Sequence, residues 1–166
     1  MKRPLCYTIK MMGWIDFFGK RKISEGEIVD LRERYRVDER TAYDGVPTVY
    51  YDVLRHSDKE KVGTIDLRLT VKGDMYYYGH IGYNIQKAHR GHRYAYYACK
   101  VLFKLAKEEF GMDELIITCS PENIASYKTL KMLKGELVEC VKVPPGHPLY
   151  AAGEKTKYIL NFPTHL

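Results

Sequence analysis

Arg90, Gly91, His92 and Arg93 stand directly after a β-rich run, Ile81-Gly82-Tyr83-Asn84-Ile85, and directly before a long helical pattern. Residues of these types at a strand-to-helix turn suit a phosphate. The first amides of a helix point outward with partial positive charge, and a glycine in the turn lets backbone approach an anion there. Arg90, His92 and Arg93 add side-chain donors. Two further residues could handle a proton. Asp66 is an isolated carboxylate in an otherwise apolar strand pattern, where burial raises a carboxyl pKa toward the range useful for a base. Its alternative role is a simple ion pair with Arg68 or another cation. His80, at the start of the following strand, is the second candidate base.

The elements that position these residues can be traced in order. Residues 27 to 37 fit a helix through Ile28, Leu31 and Tyr35 and a strand through Val29, Leu31, Tyr35 and Val37, so both remain open. Thr48 to Leu54 and Lys61 to Leu69 are rich in β-formers and flank a polar turn, which predicts an antiparallel hairpin. Met75 to Ile85 reads as a third strand, with Gly79 and Gly82 marking a bulge or a close approach. Ala95, Ala98, Cys99, Leu102, Leu105 and Ala106 follow helical spacing up to Phe110, and Gly111 is a fitting terminator. Glu114 to Cys119 has the character of a buried strand, predicted to pair in parallel across the β-helix-β crossover. Ser120 as cap and Pro121 at the first position predict the entry of a second helix. Strand-like segments follow at Leu137 to Val143 and Thr156 to Phe162.

With 166 residues, 45% of them hydrophobic, the chain matches one ordinary domain. No apolar run approaches the roughly 20 residues that span a bilayer, and the start lacks the apolar stretch of a secretion signal. The expectation is a cytoplasmic protein with no membrane partner. Cys6, Cys99, Cys119 and Cys140 form no CxxC pair and the six histidines no ligand pattern, so no metal is expected. The net charge of +6 is dispersed among acidic residues, as between Asp30 and Arg40, which argues against a nucleic-acid partner.

In this order of elements, Arg90-Gly91-His92-Arg93-Tyr94-Ala95 is similar to the cofactor motif of the GCN5-related N-acetyltransferase (GNAT) family: Gln or Arg, two residues, Gly, one residue, then Gly or Ala. A second landmark of that family, an Asn followed three residues later by a small residue, matches Asn123 and Ser126. The resemblance covers roughly residues 48 to 143. It implies an α/β (α+β) fold, a mixed, mostly antiparallel central sheet with helices on both faces, and a single acyl-CoA N-acyltransferase-like domain over 1–166. It also implies acetyl-CoA as co-substrate, its pyrophosphate on the amides of residues 91 to 95 and its pantetheine along the strand ending at Ile85. The cofactor set is then Ile85, Arg90, Gly91, His92, Arg93, Tyr94, Ala95, Asn123 and Ser126. Arg93 departs from the family's usual middle glycine, and its fork geometry suits recruitment to a phosphate, although a positive φ would be costly there.

The activity so implied is acetyl transfer to an amine, which needs a base, a polarised thioester carbonyl and a proton source for the thiolate. Asp66 or His80 is the base. The family's tyrosine, seven residues after the landmark asparagine, is replaced by Leu130, and Tyr127 on a neighbouring part of that helix is the substitute, its alternative being a packed aromatic. Asn123 and Ser126 could orient the thioester or the cofactor. The acceptor is an amine on a small molecule or peptide. Asp16, Glu25, Glu27, Asp30 and Glu33 could attract it, but neighbouring Lys and Arg cancel the argument. A non-catalytic acyl-CoA-binding or interaction module is the alternative that Leu130 and Arg93 keep open. A hydrophobic tail strand leaves pairing across a homodimer open as well.

Overall fold

The computed structural model of the protein describes residues 21–42 and 45–164; Cys6 and Asp16 lie outside them. Five strands, β1 (Ile23–Ser24), β2 (Val29–Val37), β3 (Thr48–Arg55), β4 (Lys61–Arg68) and β5 (Ile81–Ile85), form one antiparallel sheet in sequence order. Three more, β6 (Glu114–Cys119), β7 (Glu136–Lys142) and β8 (Thr156–Pro163), form a second antiparallel sheet in the order β6-β8-β7. Between the sheets in sequence runs α1 (Tyr94–Phe110), and α2 (Ile124–Met132) and the short α3 (Pro148–Ala151) follow.

The segment with two open readings is the strand β2. Its Val29 and Leu31 are wholly buried, and a register shift between Glu33 and Tyr35 breaks the alternation, leaving Tyr35 exposed. The helical stripe of α1 buries Ala98, Cys99, Leu102, Leu105 and Ala106 in one cluster with Val49, Tyr51, Val53, Ile65 and Leu67 of the sheet. Cutting a wholly buried leucine such as Leu102 back to alanine would cost about 3 kcal/mol. Gly111 ends α1 at φ 64, its amide on the carbonyls of Ala106 and Lys107.

Three expectations need correction. The third strand is only Ile81–Ile85, because Gly73–Tyr77 winds into a 3₁₀ turn and Gly79 takes a positive φ of 70. No parallel pair forms between β5 and β6; an isolated antiparallel bridge links Gly79, ahead of β5, to Ile117 of β6, and the ladders of β5 and β6 run to β4 and β8. The second helix begins at Ile124, with Asn123 as its cap, since Ser120 to Asn123 closes a turn of its own through the Asn123 amide on the Ser120 carbonyl at 2.9 Å.

The junction of β5 and β6 matters most for function. His80 clasps it, its amide donating to the Ile116 carbonyl at 2.7 Å and its Nδ1 accepting from the Ile116 amide at 2.8 Å. Thr118 adds a hydroxyl bond to the Tyr77 carbonyl at 2.9 Å. Past this clasp β5 pairs with β4 alone and β6 with β8 alone, so a gap opens between the sheets.

Candidate active site

At the far end of β5 the chain makes the turn picked out by its basic residues. Gly91 has φ 88, and a Cβ there would meet nothing within 4 Å, so the glycine serves the backbone conformation and leaves open space above the turn. Arg93 has φ 59 and ψ 21, a left-handed conformation that costs an arginine about 1 kcal/mol. It occupies the N-cap position of α1 without any side-chain cap, and no acidic residue lies in the first turn. The leading amides of a 17-residue helix are therefore left for an outside anion. By contrast α2 is capped from within, Asn123 Oδ1 accepting from the Ser126 amide at 3.1 Å.

The remaining members of this group divide by what they touch. Arg90 folds back and donates from Nε to the Ile85 carbonyl at 3.0 Å, bracing the turn against the strand end. His92 stacks on Tyr94 with ring centroids 5.4 Å apart, and Tyr94 is buried in the core. His92 and Arg93 are exposed beside the helix end. Ala95 is the small residue of the first helical turn.

The gap between β5 and β6 is a cleft of about 270 Å³, bordered by Gly82 and Tyr83 on one side and by Thr118, Cys119 and Ser120 on the other. Asn123 and Ser126 reach it from the start of α2, and Arg68, Tyr78, Leu149, Glu154 and Lys157 complete its lining. Asp66 is the cross-strand partner of Gly82, and a Cβ at position 82 would sit 2.8 Å from its Oδ1. The glycine thus uncovers the carboxylate. Burial pushes the Asp66 carboxyl above its ordinary value, against the pull of the Arg68 guanidinium and the Gly82 amide. Its Oδ2 lies 3.1 Å from Arg68 Nη2 without hydrogen-bond geometry.

Burial lowers the His80 imidazole to about 4, opposed by its bond with Ile116. His80 is thus neutral near pH 7, with Nδ1 already committed as an acceptor. Tyr127 packs its ring on Tyr158 at 5.4 Å. Two acidic residues of the amino-terminal region are engaged elsewhere: Asp30 holds Lys59 at 2.5 Å and His56 at 2.8 Å, and Glu33 holds Arg36.

Sequence reasoning missed four residues of the cleft. Tyr83 places its hydroxyl 2.9 Å from Ser126 Oγ. Lys157, 7% exposed, pairs with Glu154, which also accepts from the Ser120 hydroxyl. Burial favours a neutral Glu154, but those two donors outweigh it and hold the carboxyl below its ordinary value. Arg68 lies over the Tyr78 ring at 6.0 Å and donates to the Gly79 carbonyl at 3.3 Å. Alternation from Asp66 gave a signal for Arg68; Glu154 and Lys157 carried none, since only the β7-to-β8 connection brings them in. Burial raises the thiols of Cys119 and Cys99, the latter to about 12, so neither is a ready nucleophile. Among the described residues, no group of three or more His, Cys, Asp or Glu could hold a metal, and no helix is long and apolar enough to cross a membrane.

Comparisons with known proteins agree with this geometry. The model of the acetyltransferase (GNAT) domain matches residues 10–135. An acetyltransferase of the GNAT family from Bacillus anthracis is 15% identical, with 87% of this chain and 100% of that one covered at a TM-score of 0.64. RimL, a ribosomal L7/L12 alpha-N-protein acetyltransferase in complex with coenzyme A, is 12% identical over 86% of this chain and 98% of its own, with a TM-score of 0.61. Mycobacterium smegmatis RimJ in complex with CoA-disulfide is 16% identical over 70% and 53% of the two chains, with a TM-score of 0.54. At these identities the likeness is one of fold. No curated protein sequence matches the chain.

Proposed function

The chain belongs to the GNAT acetyltransferase family, and on that premise we propose that it transfers an acetyl group from acetyl-CoA directly to an amine on a small molecule or peptide. The observation that carries the reading is the cleft beside β5, bordered by the glycine that uncovers the Asp66 carboxylate, with the uncapped start of α1 at the turn that follows the same strand. Acetyl-CoA fits the residues present. Its phosphates suit the free amides of residues 91 to 95 with His92 and Arg93 beside them, and its amides suit the edge of β5 that faces no strand among the described residues. The donor supplies the activated acetyl group; the chain binds it, aligns it and moves protons.

Asp66 is the base in this account, its raised pKa making it a better proton acceptor than an exposed aspartate. His80 positions the two strands, and Tyr127 supports α2 from Tyr158. Asn123 and Ser126 shape the cleft wall. The naming of RimL as an alpha-N-protein acetyltransferase keeps peptide amino termini among the acceptors to try. The competing reading, a non-catalytic acyl-CoA-binding module, draws on one observation: Leu130 is wholly buried where the family's acid would stand. Incubation with acetyl-CoA and a panel of amines, read as free thiol and as acetylated product by mass spectrometry, separates them. Turnover supports the transferase; tight acetyl-CoA binding with no thiol released supports the module.

A further inference from the structure

We infer that Tyr83 donates the proton to the departing thiolate, from the opposite face of the sheet to Asp66; the assignment rests on the acetyl-transfer reading above. Strand register carries it. Asp66 pairs with Gly82 and Ile65 with Tyr83, so Asp66 and Gly82 share one face while Ile65 and Tyr83 share the other. On that second face the Tyr83 ring packs against the core cluster that includes Ile65, Cys99 and Leu102. Its hydroxyl meets Ser126 Oγ of α2 at 2.9 Å, and both residues border the cleft. The base and the hydroxyl thus stand on opposite faces of the sheet whose edge strand borders the cleft, so that one can take a proton while the other gives one.

Two other hydroxyls that border the cleft are engaged elsewhere, Thr118 donating to the Tyr77 carbonyl and Ser120 to Glu154. Leu130 supplies none at the family position and is wholly buried, and the Tyr127 ring packs on Tyr158. Burial, the Cys99 thiol nearby and the weaker opposing bond from Ser126 together leave the Tyr83 phenol at about 12, so it holds its proton at neutral pH. Ser126 is a positioning residue. Its amide is held by Asn123 Oδ1 at 3.1 Å while its hydroxyl meets Tyr83. The Asn123 and Ser126 landmark thereby acts on the chemistry through Tyr83.

The step balances. The amine lone pair forms the new C–N bond at the thioester carbonyl carbon, and the amine's surplus proton passes to Asp66. The C–S bond breaks with its electron pair on sulfur, and the Tyr83 hydroxyl gives that sulfur a proton. Solvent carries a proton from Asp66 back to the phenolate through Ser126, leaving the acetylated amine and a free thiol.

The test compares wild type with Tyr83→Phe and Ser126→Ala, each first checked for an unchanged circular dichroism spectrum. Thiol release from acetyl-CoA is followed with benzylamine, spermidine or tetra-alanine amide, whichever reacts fastest, or with water if none does. Tyr83→Phe should lower kcat about 10²-fold or more with little change in KM for acetyl-CoA, and Ser126→Ala about tenfold. With phenyl thioacetate, whose thiolate leaves without a proton, the wild-type and Tyr83→Phe rates should agree within about threefold. Equal kcat values on acetyl-CoA, an equal deficit on both thioesters, or acetyl-CoA binding with no thiol released by wild type overturns the assignment. No thiol released by wild type, with or without acetyl-CoA binding, overturns the acetyl-transfer reading beneath it as well.

Discussion

The Asp66 carboxyl is harder to ionise folded than unfolded, because burial outweighs Arg68 and the Gly82 amide. A raised carboxyl pKa stabilises the fold below the unfolded value, and that contribution is lost as pH rises through the folded one. At pH 7 the ionised group therefore strains the protein, and Asp66→Asn should melt at a higher temperature than wild type, the difference closing as pH falls. The same variant should lose about 10²-fold in kcat. A variant less stable at pH 7 and fully active would mean that Asp66 serves only its pairing with Arg68. Arg93 makes the reverse trade between conformation and binding. Arg93→Gly should gain about 1 kcal/mol in denaturant unfolding by relieving the left-handed backbone. Acetyl-CoA affinity should fall about tenfold if the guanidinium meets a phosphate, and stay unchanged if it does not. These two residues were legible in the sequence, Asp66 as a lone carboxylate among apolar neighbours and Arg93 by its place in the motif. Tyr83 was not, since nothing distinguishes it among fifteen tyrosines until the register with Ile65 shows which way it faces.

His80 joins the two sheets only while neutral. Its imidazole is lowered from 6.5 to about 4 mainly by burial, so the stability it lends is present above about pH 6.5 and is lost as pH falls toward 4. His80→Asn keeps an acceptor for the Ile116 amide but does not titrate, and its acid unfolding midpoint, followed by circular dichroism, should lie at lower pH than that of wild type. An unshifted midpoint would place the acid-sensitive contact elsewhere. Among the elements, the hairpin of β3 and β4, the helix α1 and the strand β6 could be read from periodicity. The limits of β5 could not, because three consecutive tyrosines suit a strand by propensity and a 3₁₀ turn by packing on His147, where Tyr77 and Tyr78 lie at 5.1 and 5.2 Å. Nor could the separation of β5 from β6. An apolar strand announces that it is buried but not which neighbour it pairs with, and β6 pairs with β8 from the end of the chain.

At the scale of the molecule, two antiparallel sheets are held together at one end of a shared seam and part along the rest, and the candidate site is the space so made. The net charge of +6 favours an anionic donor in general terms and says nothing about the acceptor. The family was legible because its two landmarks report backbone requirements, a turn that opens one helix and a cap that opens the next. The rest of the cleft lining was not, because it is assembled from residues as distant in sequence as Arg68 and Lys157. The central claim is that the turn after β5 holds acetyl-CoA. Calorimetric titration of acetyl-CoA into wild type and Gly91→Trp tests it directly, the indole filling open space above the turn. The account predicts saturable binding by wild type and none by a Gly91→Trp variant with native circular dichroism. No binding by wild type, or undiminished binding by the folded variant, would contradict it.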